Sequence, residues 1–337
     1  MAIKRRELLT SLGVASVAAL SVGSFPRASL AQSPAKVRAG YLHTLAVDGQ
    51  LWLADHTGSF EEQGLEMEWI QFTTGLELFQ ALISGGIDVL TTGAVISNFP
   101  ARGQGKMFLT NCVEFGTAQL WVNTDQGVED FDDLRGKKIS TTVGTTAHVY
   151  LDRALRSHGL APEDVEIVNQ RMSEAVTSFI SGAVPAVALW VPFNIRVRDQ
   201  VASAKKLDDA SAYYPEAAII SGWAAGNDYF ESNPEVLKRI IRAWLPANDF
   251  LVAKPDEALE ILQANYYDTV PLSDLKEQYQ AQKAFTSTEW RELYADGTVT
   301  NWLNQVTDFF AEQAGIDSPV PADEYFRPEL YLEVVKA

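Results

Sequence analysis

Thr145, Thr146 and His148 stand where the β-branched run Ile139 to Val143 gives way, through Gly144, to an amphipathic stretch reaching His158. Small hydroxyl residues and a histidine at a strand-to-helix junction admit three kinds of chemistry. The hydroxyls could cap the helix by accepting hydrogen bonds from its first N–H groups. The same N–H groups, with the positive end of the helix dipole, could instead hold an anion, and Gly144 would let the backbone approach it closely. A hydrolase would need a nucleophile, a base and an orienter in one site. His148 and Asp152 could pair at a spacing of four residues, but they lie on one helix with no oxyanion motif. The stretch therefore reads as a ligand-contacting helix start made of Thr145, Thr146, Ala147 and His148, with no catalytic residue.

Thr73, Thr74 and Gly75 open a second helix-like stretch, and Thr92, Gly93, Ala94 and Val95 a third. Polar helix starts of this kind, facing one cleft, would suit a tetrahedral or planar oxyanion. Aromatic residues close several strand-like runs: Tyr41, followed by His43, then Phe72, Trp190 and Phe193, with Trp223 further on. Trp190 is the foremost of these, since an indole ring can pack on an alkyl chain or a cation. Arg171 ends another strand and could pair with an anionic head group.

These residues need elements to hold them. "VRAGYL", "LEMEWIQF", "IDVLTTG" and "MFLTNCVEF" read as strands, separated first by the helical stretches "GQLWLADHTGSF" and "GLELFQALISGG". Strands alternating with helices of this length imply βαβ units and a parallel sheet. The alternation restarts at "AQLWVNT" and runs through "KKISTTV", "VEIVNQR" and "AVALWV" to "AAIISGWAAG". From Asn233 onward the pattern is helical. The fold class is thus α/β, with two lobes, each a parallel-type sheet flanked by helices. The second lobe is inserted into the first through crossings near Leu120–Thr124 and Ile219–Gly226. The expected limits are 36–121 plus 224–337 for lobe 1 and 122–223 for lobe 2. Ligands of such sheets bind beyond the carboxyl ends of the strands, here in a cleft between the lobes.

The bulk properties narrow the partners. The 337-residue chain carries a net charge of −17. Residues 1–31 hold Lys4, Arg5, Arg6 and Arg27 against Glu7, so their removal leaves about −20. That excludes nucleic acid and an anionic membrane surface as partners, but not a small anion. Residues 1–31 read as a signal peptide, with a basic start, a short apolar core and Ser29-Leu30-Ala31 at the cleavage point. Arg5-Arg6 before Leu8-Leu9 is twin-arginine-like, and the general secretory route is the alternative. Cys112 is the single cysteine, so no internal disulfide forms, and the four histidines lack metal-ligand spacing. No metal and no cofactor are expected.

At this point a family resemblance enters. The stretch from Gly49 to Gly93, "VGTTAHVYLDRALRSHGLAPEDVEIVN", "SGAVPAVALWVPF" and the return segment from Ala225 to Leu262 together resemble the sulfonate, taurine and nitrate solute-binding proteins of ABC importers. That family also takes in thiamine-precursor binders, the NMT1/THI5-like group. The resemblance implies a type II periplasmic binding protein: a monomer that closes its lobes on a small molecule and docks on a membrane permease. A taurine-like or alkanesulfonate ligand is its first implication, with nitrate, aromatic carboxylates, pyrimidines and flavins as alternatives. The related thiamine-precursor synthases use a cysteine-rich motif, which this chain lacks. Val191 and Pro185 stand where many members carry Asp, so a relative's contacts do not transfer at those positions.

Overall fold

Ten strands are found among the described residues: β1 (Ala35–Leu42), β2 (Leu65–Phe72), β3 (Val89–Thr92), β4 (Lys106–Val113), β5 (Ala118–Asn123), β6 (Lys138–Thr141), β7 (Glu166–Asn169), β8 (Ala186–Trp190), β9 (Ala204–Asp209) and β10 (Ile220–Ala225). The computed structural model describes residues 34–336, so the expected signal peptide and its cleavage point lie outside the described residues. The strands form two five-stranded sheets, ordered β2-β1-β3-β10-β4 and β7-β6-β8-β5-β9. The two orders are the same pattern written twice. In each sheet four strands run parallel, and one runs against its neighbours: β10 in the first, β5 in the second. Both reversed strands are the ones that arrive from the other sheet. Each sheet with its helices is one lobe of a type II binding-protein fold.

The chain therefore leaves the first sheet between Val113 and Ala118 and returns between Asp209 and Ile220. The sequence pattern places both crossings several residues later, because "AQLWVNT" and "AAIISGWAAG" are apolar enough to serve either sheet. Register decides the matter: Gly222 and Trp223 pair with Thr92 and Thr91 on one side and with β4 on the other. The crossing segments are bonded to each other, Glu114 N–H donating to Ile219 O at 2.8 Å. The strand β9, "AKKLDD", has no apolar alternation to announce it; it is an edge strand held by its ladder to β5.

Each lobe has its own apolar interior. Val37, Leu90, Leu109, Trp223 and Trp244 are buried in the first, and Leu120, Ile139, Leu151 and Leu155 in the second. Side chains of this size each contribute roughly 1.5–3 kcal/mol when fully removed from water. The helix Thr298–Ala314 serves both lobes: it packs on the turn Val95–Asn98, while Val306, Phe309 and Phe310 enter the second interior. No described helix is long and apolar enough to cross a membrane.

Candidate functional site

One cavity opens where the ends of β1, β3 and β8 meet the first crossing segment. It encloses about 560 Å³, part of it open to solvent, and is lined from both lobes. Thr44 to Val47, Gly75, Thr92, Gly93 and Val95 come from the first lobe, and Thr145, Thr146, Trp190 and Val191 from the second. Glu114 and Thr117 rise from the crossing segment, and Gln278 closes one side.

Two twelve-residue helices begin at this cavity, Leu45–His56 from the first lobe and Thr146–Ser157 from the second, and neither has a side-chain cap. For the second, the N-cap residue explains why. Thr145 lies in extended backbone, but its hydroxyl donates backwards to Thr142 O at 2.7 Å instead of accepting from the helix. The Val47 and His148 N–H groups donate back to the Thr44 and Thr145 carbonyls, so it is the first two N–H groups of each helix, with the positive end of its dipole, that are offered to the cavity. The third helix start, Gly75–Ile83, is closed: Thr74 Oγ1 accepts from Glu77 N–H at 3.2 Å.

The lobes also touch across this cavity. Ala94 N–H donates to Thr146 Oγ1 at 3.1 Å, and Asn98 Nδ2 reaches Gly144 O at 3.5 Å. Further out, Arg171 pairs with Glu77 at 3.1 Å, and Glu277 takes both Arg198 at 2.6 Å and Asn194 at 2.7 Å.

Six residues expected from the sequence line the cavity: Thr92, Gly93, Val95, Thr145, Thr146 and Trp190. Ala94 and Ala147 adjoin it, the former through its interlobe N–H. Phe193 stands edge-on to Trp190, ring centres 5.9 Å apart, and supports that wall from behind. The remaining expected residues are occupied elsewhere. His148 is buried; its Nδ1 accepts from Gly144 N–H at 3.2 Å, and its ring meets Phe309 edge-on at 5.1 Å. Burial lowers its pKa to about 4, so it is a neutral brace for the glycine turn. His43 pairs with buried Asp48 at 2.7 Å and stacks on Tyr267, ring centres 4.2 Å apart. Tyr41 packs edge-on against Trp52, and Phe72 packs on the first interior. Thr73 donates to Glu77 Oε2 at 2.6 Å. Trp223 is fully buried in the first sheet, its Nε1 donating to Asn111 Oδ1 at 2.9 Å, because β10 belongs there and not at the crossing. Arg171 is spent on Glu77.

Sequence reasoning passes over Glu114, Thr117, Gln278 and the Thr44–Val47 helix start. A lone carboxylate ending the apolar run "MFLTNCVE" was the available signal for the first. Glu114 is buried, its Oε2 accepting from Thr117 Oγ1 at 3.0 Å. Burial pushes its carboxyl up to about 7, against the opposing help of the Thr117 and Thr146 hydroxyls. No cluster of three or more metal-ligating side chains occurs among the described residues.

Comparison with known proteins adds the lineage. The family model described as NMT1/THI5 like matches residues 49–258. A candidate binding protein of Brucella abortus is 28% identical over 312 residues, covering 93% of this chain and 96% of its own. The taurine-binding periplasmic protein of Escherichia coli K12 is 27% identical over 199 residues, 58% of this chain and 60% of its own. Among solved structures, the alkanesulfonate-binding protein SsuA of Xanthomonas axonopodis pv. citri, bound to MOPS, superposes with a TM-score of 0.69 at 18% identity. That superposition covers 88% of this chain and 99% of the other.

Proposed function

The chain belongs to the NMT1/THI5-like family, and on that premise we propose that it is an exported solute-binding protein serving an ABC importer. It captures a small organic solute with an oxyanion head, a sulfonate in the first instance, between its lobes. The observation that carries this reading is the cavity itself. Two uncapped helix starts, one from each lobe, face a space walled by Trp190. The oxyanion head would sit at the start of helix Thr146–Ser157, near Thr145 and Thr146, where N–H groups and dipole favour it. The organic part would pack on Trp190. A taurine-binding relative and a sulfonate-binding structural neighbour support the ligand class.

The mechanism is a two-state closure. A ligand that touches both lobes stabilises the closed form only by its higher affinity for that form. Thr146 and Glu277 already bridge the lobes, so the solute adds to an existing latch. We place the lobe limits at the two crossing segments and the export signal in residues 1–31. The mature protein would work as a periplasmic monomer, releasing its solute to the permease without covalent chemistry.

A thermal-shift panel of alkanesulfonates, taurine, nitrate, aromatic acids and pyrimidines tests the reading. A raised melting temperature with a sulfonate is expected. A rise only with an aromatic acid or a pyrimidine would overturn the ligand class. No rise with any member would overturn the solute-binding reading.

A further inference from the structure

Three buried polar atoms of this cavity's lining have no hydrogen-bond partner among the described residues: Glu114 Oε1, Thr92 Oγ1 and Gln278 Nε2. They come from three separate elements: the first crossing segment, the end of β3 and the helix Leu272–Gln280. Buried polar groups are nearly always paired, and a carboxyl is the costliest of them to leave bare. Three such atoms belong to side chains that border one cavity, where a ligand can supply the missing partners.

The carboxyl sets the strongest demand. Glu114 is 5% exposed and, among the described residues, the only ionisable side chain lining the cavity. No Lys, Arg or His lines it among the described residues of either lobe. Gly93 packs against Oε1: a Cβ there would clash with Oε1 and fall 2.7 Å from Thr146 Oγ1. Gly75 does the same for Thr92, whose Oγ1 would lie 2.5 Å from an added Cβ. Oε2 already has Thr117, and the Thr146 hydroxyl favours the ionised carboxyl without completing a hydrogen bond to Oε1, so Oε1 is the oxygen left to receive a full donor. A purely anionic solute brings no donor to it and, wherever the carboxyl is ionised, meets its charge across the cavity. A solute with a protonated nitrogen satisfies Oε1 and holds the carboxyl ionised.

We infer that the solute carries an amine nitrogen, and that Glu114 accepts its N–H in the cavity while the Gln278 amide donates to an acceptor on the same molecule. The inference rests on the cleft being the solute site, and it selects amine-bearing solutes within the proposed class. Thr92 Oγ1 can donate or accept and adjusts to whichever edge it meets.

Calorimetry on the mature protein with matched probes decides it: taurine against ethanesulfonate, β-alanine against propionate, and 4-aminopyrimidine against pyrimidine. In each pair that binds, the amine-bearing member should bind about tenfold tighter or better, as expected for a charge-assisted hydrogen bond. Glu114→Gln should bring the two members of that pair close together. Because the discrimination is read within the unmodified protein, the result does not depend on how well the variant folds. Equal binding, preference for the amine-free member, or discrimination that survives in a folded Glu114→Gln protein would overturn the inference. Binding of ethanesulfonate without taurine would overturn the amine and leave the sulfonate reading standing. Binding of amine probes without either sulfonate would do the reverse, and silence from every probe would overturn both.

Discussion

Thr146 Oγ1, in the first turn of a second-lobe helix, accepts the backbone N–H of Ala94 in the first lobe at 3.1 Å. A first-turn hydroxyl at the cavity thus joins the lobes. Interlobe contact and the proposed solute site therefore meet in one side chain, so closure and binding would be coupled there without any long-range relay.

Replacing Thr146 by valine keeps the shape and removes the acceptor. A typical hydrogen bond of about 1 kcal/mol predicts roughly fivefold weaker solute binding, with little change in melting temperature. Thr145→Val should behave oppositely. It deprives the Thr142 carbonyl of its 2.7 Å partner, so it lowers the melting temperature more than the affinity. Calorimetry and thermal melts on both variants check the pair.

Gly93 leaves no room for a side chain at the cavity. Its added Cβ would meet Glu114 and Thr146 oxygens well inside van der Waals contact. Gly93→Ala should hold the lobes apart and lose binding by about a hundredfold, on the scale of a few kcal/mol for overpacking. Small-angle scattering should show a larger radius of gyration for the variant in the presence of solute.

Much of this arrangement was legible in the residues. Strand-helix alternation announced two α/β units, and Thr92, Gly93, Thr145, Thr146 and Trp190 were expected at the cavity they line. What escaped has a common cause. Trp223 and "AKKLDD" were misplaced or missed because strand partnership across a hundred residues leaves no local trace. His148 looked like a ligand contact because its type is visible in sequence, whereas its bond to Gly144 and its packing on Phe309 are not. Glu114 was hidden in an apolar run that read as a simple strand. A buried carboxyl becomes informative only once its neighbours are known.

Glu114 and His148 oppose each other in pH dependence. The Glu114 carboxyl titrates near 7 in the fold, above its ordinary value of 4.5, so the fold binds the proton more tightly than the unfolded chain does. Its contribution is present below 4.5 and is lost as pH rises through 7. His148 titrates near 4, below its ordinary 6.5; its contribution is present above 6.5 and is lost as pH falls through 4. Each shift corresponds to ~3 kcal/mol at most. Glu114→Gln should therefore make stability rise more steeply between pH 4.5 and 6.5 than in the unmodified protein, and His148→Gln should make it fall there. Urea titrations across that window, with both slopes compared to the parent, provide the check.

Glu277 anchors the outer edge of the closed form through Arg198 and Asn194. The ion pair is partly exposed, so its worth is about 0–1 kcal/mol and salt-sensitive. Glu277→Gln should weaken solute binding by less than about fivefold, with the difference shrinking at high salt. Calorimetry at two ionic strengths measures it.

The most direct measurement is a crystal structure of the mature protein grown with the tightest-binding solute of the panel. The account predicts density for that solute between the lobes, its acceptor head at the starts of the helices bearing Thr146 and Leu45, and its organic part on Trp190. Solute bound outside this cavity, or a cavity still empty at saturating concentration, would contradict it.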